Sequence, residues 1–115
     1  MRKLRMNKTL QTEQIMKSEK EVQTEILKWV QSVGGYVIKV MKANTNGVPD
    51  LVICINGFFV GCEVKAERYS KDPSKQMSAW QQRHGKLIRA SKGAFICCST
   101  LEALKEYLED ELIYF

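Results

Sequence analysis

The fold is decided by residues 47–65, which read GVPDLVICINGFFVGCEVK. Two apolar, β-branched runs, Leu51–Ile55 and Phe58–Val64, are separated there by Asn56-Gly57. Asn-Gly tolerates the positive φ angles of a type I′ turn, so the pattern predicts a β-hairpin with a two-residue loop. A loop of that length sets the register, because each residue on one strand then has a defined partner on the other.

This register places Asp50 directly opposite Glu63, and the period-two alternation of a strand brings Lys65 to the same face. The opposite face carries Leu51, Ile53, Ile55, Val60, Cys62 and Val64. The apolar face predicts a core, and the charged face predicts a functional site. Opposed carboxylates about 5 Å apart repel each other, and a divalent cation such as Mg²⁺ would compensate the repulsion. The alternative is a surface Asp with a solvated Glu–Lys pair.

The run Gly47-Val48-Pro49-Asp50, followed thirteen residues later by Glu63-Val64-Lys65, resembles the motif of the PD-(D/E)xK nuclease superfamily. Within it, the longer string resembles the VRR-NUC family (virus-type replication and repair nucleases) in its stand-alone phage and bacterial form. The resemblance extends from about Glu19 to about Cys98. It implies an α/β fold with a mixed sheet flanked by helices, in the order αβββαβ with a further helix. It also implies a DNA endonuclease that uses Mg²⁺ or Mn²⁺.

The same resemblance implies the site residues. The catalytic residues would be Asp50, Glu63, Lys65, Gln81 and Glu19. The metal ligands would be Asp50, Glu63 and the backbone carbonyl of Val64, with Glu19 as an accessory ligand and Gln23 as its polar support. Two alternatives stay open, because Glu21 lies two residues from Glu19 and Gln82 lies next to Gln81.

With 115 residues the chain predicts one domain, residues 18–115, after a flexible basic arm, residues 1–17. The net charge of +5 favours a nucleic-acid partner over a membrane. No apolar run reaches the ~18 residues of a membrane span, and the start has no apolar signal region, so a cytoplasmic location in a bacterial cell is expected. All four cysteines fall in apolar runs and are expected to be reduced core thiols.

Helical patterns flank the hairpin. Ser18 and Glu21 form a capping box before a buried stripe of Val22, Ile26, Trp29, Val30 and Val33, and the helix ends near Gly34. Ser78 begins a second helix whose predicted apolar side is Met77, Trp80, Leu87 and Ile88. A last helix begins near Thr100 and turns Leu101, Leu104, Leu108 and Leu112 inward. With strands at residues 36–40 and 94–98, the predicted order is α-β-β-β-α-β-α.

Contacts with DNA are predicted for Lys39, Gln23 and the loop of residues 66–76. Arg68, Lys71 and Lys75 of that loop can follow a phosphate backbone, and Tyr69 can stack on an unpaired base. The basic arm, with Arg2, Lys3, Arg5, Lys8 and Lys17, can contact phosphates as well. Solvated side chains are the alternative for each of these groups.

The function expected from these features is structure-specific cleavage of DNA, in the manner of a Holliday-junction resolvase, by a homodimer. Each chain carries one candidate site, whereas junction resolution needs two incisions. The predicted dimer surfaces are the last helix with residues 112–115, and the segment with Leu10, Ile15 and Met16. Folding back of residues 112–115 onto their own core is the alternative. The alternative functions are a DNA-binding module without cleavage and a general or restriction-type nuclease.

Overall fold

Three α-helices and four strands of the described residues follow one another in the predicted order. The computed structural model describes residues 16–111 and 113–115. The elements are α1 (Glu19–Ser32), β1 (Tyr36–Lys39), β2 (Leu51–Ile55), β3 (Phe58–Val64), α2 (Ala79–Ala90), β4 (Ala94–Cys98) and α3 (Leu101–Asp110). The segment predicted as an irregular loop before α2 contains two 3-10 helices, Glu67–Tyr69 and Pro73–Gln76.

The four strands form one mixed sheet in the order β1-β2-β3-β4. The first two pairings are antiparallel, and β4 lies parallel to β3. The hairpin turn has positive φ at both central positions, 48° at Asn56 and 84° at Gly57, as the type I′ prediction requires. The predicted register is confirmed, since Ile55 pairs with Phe58 and Ile53 pairs with Val60.

The main core lies between one face of the sheet and the helices α1 and α3. The predicted apolar face of the hairpin is buried in it, together with Val22, Ile26 and Val30 of α1 and Leu101, Leu104 and Leu108 of α3. Burying one such side chain contributes about 1.5–3 kcal/mol. This face therefore supplies most of the hydrophobic stabilisation and holds the hairpin rigidly under the charged residues.

Helix α2 packs on the other face of the sheet, over β3 and β4, and it does so through glycine. A Cβ atom at Gly85 would lie 2.7 Å from Phe95, and one at Gly61 would lie 2.8 Å from Ile88. The prediction that Trp80 and Leu87 form the apolar side of this helix is wrong, because they are 54% and 51% exposed. Close approach at Gly85 turns both large side chains to the helix flank.

The cysteines are all free, but only part of the prediction for them is correct. Cys62 and Cys98 are buried with their Sγ atoms 3.6 Å apart, and Cys97 is half-buried. Cys54 is exposed, because it points to the face of β2 that none of the described helices covers. The alternation of side chains along β2 therefore leaves Cys54 exposed, although its neighbours in the sequence are apolar and buried.

The carboxyl-terminal residues fold back onto their own domain. Ile113 is buried in the core, and the ring of Phe115 packs edge-on against Trp29 at a centroid distance of 4.9 Å. The alternative that was left open for this segment is therefore the one observed. Leu112 and residues 1–15, which include Leu10, Ile15 and most of the basic arm, lie outside the described residues.

The first described residues are already attached to the domain. The side chain of Lys17 bonds to Glu25, and its backbone carbonyl accepts a hydrogen bond from the N–H of Glu67 at 3.0 Å. Lys17, which the sequence assigned to the arm, is therefore in contact with the domain. Of the helices in residues 16–111 and 113–115, none is long and apolar enough to cross a membrane.

Candidate active site

The open end of the hairpin holds Asp50 and Glu63 on the same face, as the register predicted. Asp50 Oδ2 accepts a hydrogen bond from the backbone N–H of Val64 at 2.9 Å, which ties the start of β2 to the end of β3. The side chain of Glu63 is 1% exposed. One carboxylate is therefore fixed by a backbone hydrogen bond and the other by burial.

A third carboxylate comes from the first turn of α1. Ser18 Oγ accepts from the N–H of Glu21, and Glu21 reaches back to the N–H of Ser18, so the predicted capping box is present. Glu21 is occupied there, whereas Glu19 joins Asp50 and Glu63 in a cluster in which one oxygen from each carboxylate lies within 4.8 Å of the others. Between the two glutamates that the sequence left open, the structure brings Glu19 to the cluster.

Lys65 and Gln81 complete the group. Lys65 Nζ lies 3.3 Å from Glu63 Oε2 and donates to Gln81 Oε1 at 3.2 Å. Gln81 Nε2 donates to Glu63 Oε2 at 2.7 Å, so the amide bridges the lysine and the carboxylate. The neighbouring Gln82 bonds to the carbonyl of Met77 instead. The register of α2 therefore selects Gln81, which the sequence could not distinguish from Gln82 by spacing alone.

Burial and like charges change the acidity of this cluster. Desolvation, followed by the negative charge of Asp50, raises the pKa of Glu63 to about 7, although Lys65 opposes the shift. Burial and the charge of Asp50 also raise the pKa of Glu19, against the attraction of Lys65 and Lys39. Crowding three carboxylates beside one ammonium group is thus electrostatically unfavourable in the protein alone.

The cluster fits a divalent cation. Glu63 Oε1 is buried and has no hydrogen-bond partner among the described residues, so one lone-pair site is left unsatisfied. Carboxylate oxygens are the ligands that Mg²⁺ and Mn²⁺ prefer, and ligands on opposite sides of Mg²⁺ are about 4.2 Å apart. Three ligands of one ion cannot all lie opposite one another, and neighbouring ligands of Mg²⁺ are only about 3 Å apart. Because the three offered oxygens lie within 4.8 Å of one another, the side chains would have to close around the ion. Asp50, Glu63 and Glu19 are the residues that can hold the ion.

The predicted DNA-contacting residues are dispersed around this centre. Lys39 is exposed at the end of β1, and Lys71 is exposed between the two 3-10 helices. Lys75 lies 3.8 Å from Asp72 in an exposed ion pair. Arg68 covers the ring of Tyr69 at 4.9 Å and donates to its hydroxyl, so that face of the ring is occupied.

Gln23 is only 7% exposed, one turn after Glu19. That burial favours the supporting role beside Glu19 over a direct contact with nucleic acid.

Two features of the site were not predicted from the sequence. The first is the hydrogen bond from the N–H of Val64 to Asp50, since the sequence indicated only the carbonyl of Val64 as a ligand. The second feature is the link between Gln81 and the cap of its own helix, where Gln81 Oε1 accepts from the N–H of Ser78 at 2.9 Å. A capping-box pattern, Ser78 followed three residues later by Gln81, could have indicated the second link.

Fold and site together define an α/β domain with a carboxylate cluster, a lysine and a glutamine at the open end of a hairpin. A solved structure described as a VRR_NUC domain is similar to this chain, with a TM-score of 0.64 and 22% identity over 79% of this chain and 94% of that one. The resemblance to the VRR-NUC family that the sequence indicated is therefore confirmed for the fold. Protein-family models and curated protein sequences produce no match to the chain.

Proposed function

We propose that this protein is a metal-dependent nuclease that hydrolyses phosphodiester bonds in DNA. The observation that carries the proposal is the convergence of Glu19, Asp50 and Glu63 beside Lys65, with one buried carboxylate oxygen left without a partner. A structural ion-pair network would pair its charges, whereas this one gathers three acids around one base. The fold shared with a VRR_NUC domain supports the same reading.

Each residue has a task that follows from its position. Asp50, Glu63 and Glu19 would bind Mg²⁺ or Mn²⁺, with the carbonyl of Val64 as a further ligand. When bound, the ion supplies Lewis acidity toward a phosphoryl oxygen. Lys65, held by Gln81, would stabilise the negative charge that develops on the phosphorus-bound oxygens and orient the attacking water. Because its pKa is about 7, Glu63 must lose its proton for the ion to bind near neutral pH.

DNA is the substrate that the charge of the chain favours. The net charge is +5, and the stretch of residues 73–101 contains five cations, Lys75, Arg83, Lys86, Arg89 and Lys92, and no carboxylate. Helix α2, which carries Gln81, lies within this stretch. A polyanion is therefore attracted to the side of the domain on which Glu63 faces α2.

Within DNA substrates, we propose branched structures and in particular four-way junctions, cut by a homodimer. The chain carries one carboxylate cluster among its described residues, and a two-fold pair would supply the two incisions that a junction requires. The buried Ile113 and the packing of Phe115 on Trp29 leave less apolar surface at the carboxyl terminus for this pairing than the sequence predicted.

The experiment is incubation of purified protein with labelled duplex, flap, single-stranded and four-way-junction DNA in Mg²⁺, Mn²⁺ or EDTA. Cleavage with either metal and none in EDTA is expected. Cleavage that persists in EDTA, or no cleavage of any of the four substrates with either metal, contradicts the proposal. A chromogenic aryl phosphodiester provides a second substrate that needs no extended DNA-binding surface.

A further inference from the structure

Half of one face of the sheet is left uncovered by residues 16–111 and 113–115. Cross-strand pairing aligns Tyr36, Cys54 and Phe59 in one row across β1, β2 and β3, and Ile38, Val52 and Gly61 in the next. Helix α2 covers Gly61 through Ile88, but over β1 and β2 the face is open. We call the set Tyr36, Ile38, Val52, Cys54 and Phe59 the open sheet face. It contains no side chain that is charged at neutral pH.

Aromatic groups dominate this surface and its border. Tyr36 is 63% exposed and Phe59 is 44% exposed, and two strand spacings of about 4.8 Å separate their backbones. Trp80, 54% exposed, lies on the same flank of α2 as His84 and Leu87, which line a groove with Phe59. Exposed apolar surface that continues across neighbouring strands is typical of a binding site.

The open sheet face leads directly to the carboxylate cluster. Side chains at Asp50, Val52 and Cys54 point to one side of β2, and those of Glu63 and Phe59 point to the same side of β3, with Gly61 between them. The row of Tyr36 and Phe59 therefore lies about 13 Å, or four residues of strand, from Asp50. A chain of nucleotides extended from the cluster would pass over these rings.

We propose that the open sheet face binds unpaired nucleotides of the DNA substrate by stacking bases on Tyr36 and Phe59. The inference rests on the proposed nuclease function and narrows its substrate class to branched DNA with unpaired nucleotides beside the scissile bond, such as a flap or a junction whose base pairs have opened at the branch point. An uncharged, aromatic surface suits bases and not a phosphate backbone. Phosphate contacts fall instead to Lys39, whose charge acts on Glu19 of the cluster. A second copy of the chain on this face would lie over Asp50 and Glu63 and exclude substrate.

The structure offers a matched control for the aromatic residues. Phe58 is adjacent to Phe59, similarly exposed at 47%, and also lines the groove with His84 and Leu87. It pairs with Ile55, so alternation places it on the opposite side of β3 and outside the open sheet face. Binding of a fluorescein-labelled oligothymidylate, measured by anisotropy in EDTA, should weaken about fivefold or more for Tyr36→Ala and for Phe59→Ala. Phe58→Ala should change it less than about twofold. Equal effects of Phe58→Ala and Phe59→Ala overturn the inference.

Cys54 allows a test on the unaltered protein. It is the exposed cysteine at the centre of the open sheet face, whereas Cys62, Cys97 and Cys98 are buried or half-buried. Alkylation of Cys54 by N-ethylmaleimide, followed by mass spectrometry in EDTA, should be slowed at least fivefold by a saturating oligothymidylate and less than twofold by a blunt duplex. Equal protection of Cys54 by the oligothymidylate and the duplex, or protection by neither, overturns the inference. Protection that increases with protein concentration in the absence of DNA also overturns it, because it would show a second copy of the chain on the face.

These tests are separable from the proposed function. Neither requires hydrolysis, so a protein that binds single strands through this face but cleaves nothing in Mn²⁺ would retain the binding site and lose the nuclease assignment. Conversely, if the protein cleaves DNA but oligothymidylate does not protect Cys54 from alkylation, the nuclease assignment stands and the stacking surface is refuted. If Phe59→Ala fails to fold, Cys54→Glu places a negative charge between the rings at an exposed position and should weaken binding by a similar factor.

Discussion

Gln81 Nε2 donates a hydrogen bond of 2.7 Å to Glu63 Oε2 and thereby connects helix α2 to the end of strand β3. The carbonyl oxygen of the same amide accepts hydrogen bonds from Lys65 and from the N–H of Ser78. The cap of α2 and the orientation of Lys65 therefore depend on one side chain. This arrangement makes Gln81 a positioning residue whose effect is expected in catalysis more than in metal binding.

Replacing Gln81 by alanine should lower kcat about tenfold to a hundredfold, because Lys65 loses the acceptor that holds it. Metal affinity, measured by calorimetry, should change little, since Glu19, Asp50 and Glu63 remain. Gln82→Ala, on the adjacent residue that bonds only to Met77, is the control and should retain the wild-type rate. A rate loss shared by both variants would show that helix stability is responsible.

Replacing Asp50 by asparagine or Glu63 by glutamine should reduce cleavage at least a hundredfold, because the charge that binds the metal is removed. Binding of DNA in EDTA should be largely retained, since neither side chain is cationic. Glu21→Gln is the control, because Glu21 serves the cap of α1. Cleavage by Asp50→Asn at close to the wild-type rate would contradict the assignment of the site.

In the metal-free protein, Asp50→Asn should raise the melting temperature by a few degrees. Relief of the repulsion between opposed carboxylates contributes about 0.2–1 kcal/mol, and the asparagine oxygen can still accept from the N–H of Val64. Asp50→Ala should lower the melting temperature instead, because that buried donor then has no partner, at a cost of about 1–3 kcal/mol. Calorimetry in EDTA measures the melting temperatures of both variants. A melting temperature of Asp50→Asn below that of the wild type would contradict the repulsion between the carboxylates.

Stability of the metal-free protein should fall as the pH rises from about 5 to about 8. The pKa of Glu63 is raised from 4.5 to about 7 by burial and Asp50, so the folded state favours its protonated form. The stabilisation that comes from the protonated Glu63 is complete below the pKa of Glu63 in the unfolded state, and it is lost as the pH rises through its pKa in the folded state. Mg²⁺ should therefore raise the melting temperature more at pH 8 than at pH 5.5, and an equal effect at both would argue against Glu63 as a ligand.

A homodimer should be detected by light scattering at micromolar concentration, and a cruciform plasmid should be converted to linear product. Paired incisions within one complex give linear DNA, whereas independent incisions accumulate nicked circles. A monomer that produces nicked circles would defeat the junction-resolvase proposal and leave a general structure-dependent nuclease. Neither result would affect the carboxylate cluster, which the variants of Asp50 and Glu63 test separately.

Local rules were enough to predict the hairpin and the order of the elements. Asn56-Gly57 demands positive φ at two successive residues, and that requirement sets the register of β2 and β3 to the residue. The capping boxes at Ser18 and Ser78 likewise depend only on residues three apart. Asp50, Glu63 and Lys65 could therefore be placed on one face before any tertiary contact was known.

Helix faces and the membership of the site depended on contacts between elements distant in the chain. The apolar pattern predicted that Trp80 and Leu87 would be buried, but the fit of Gly85 against Phe95 rotates α2 and leaves both exposed. The same rotation selects Gln81 over Gln82, and the docking of α1 selects Glu19 over Glu21. Periodicity records which side chains share a face, whereas steric fit between elements decides where that face points.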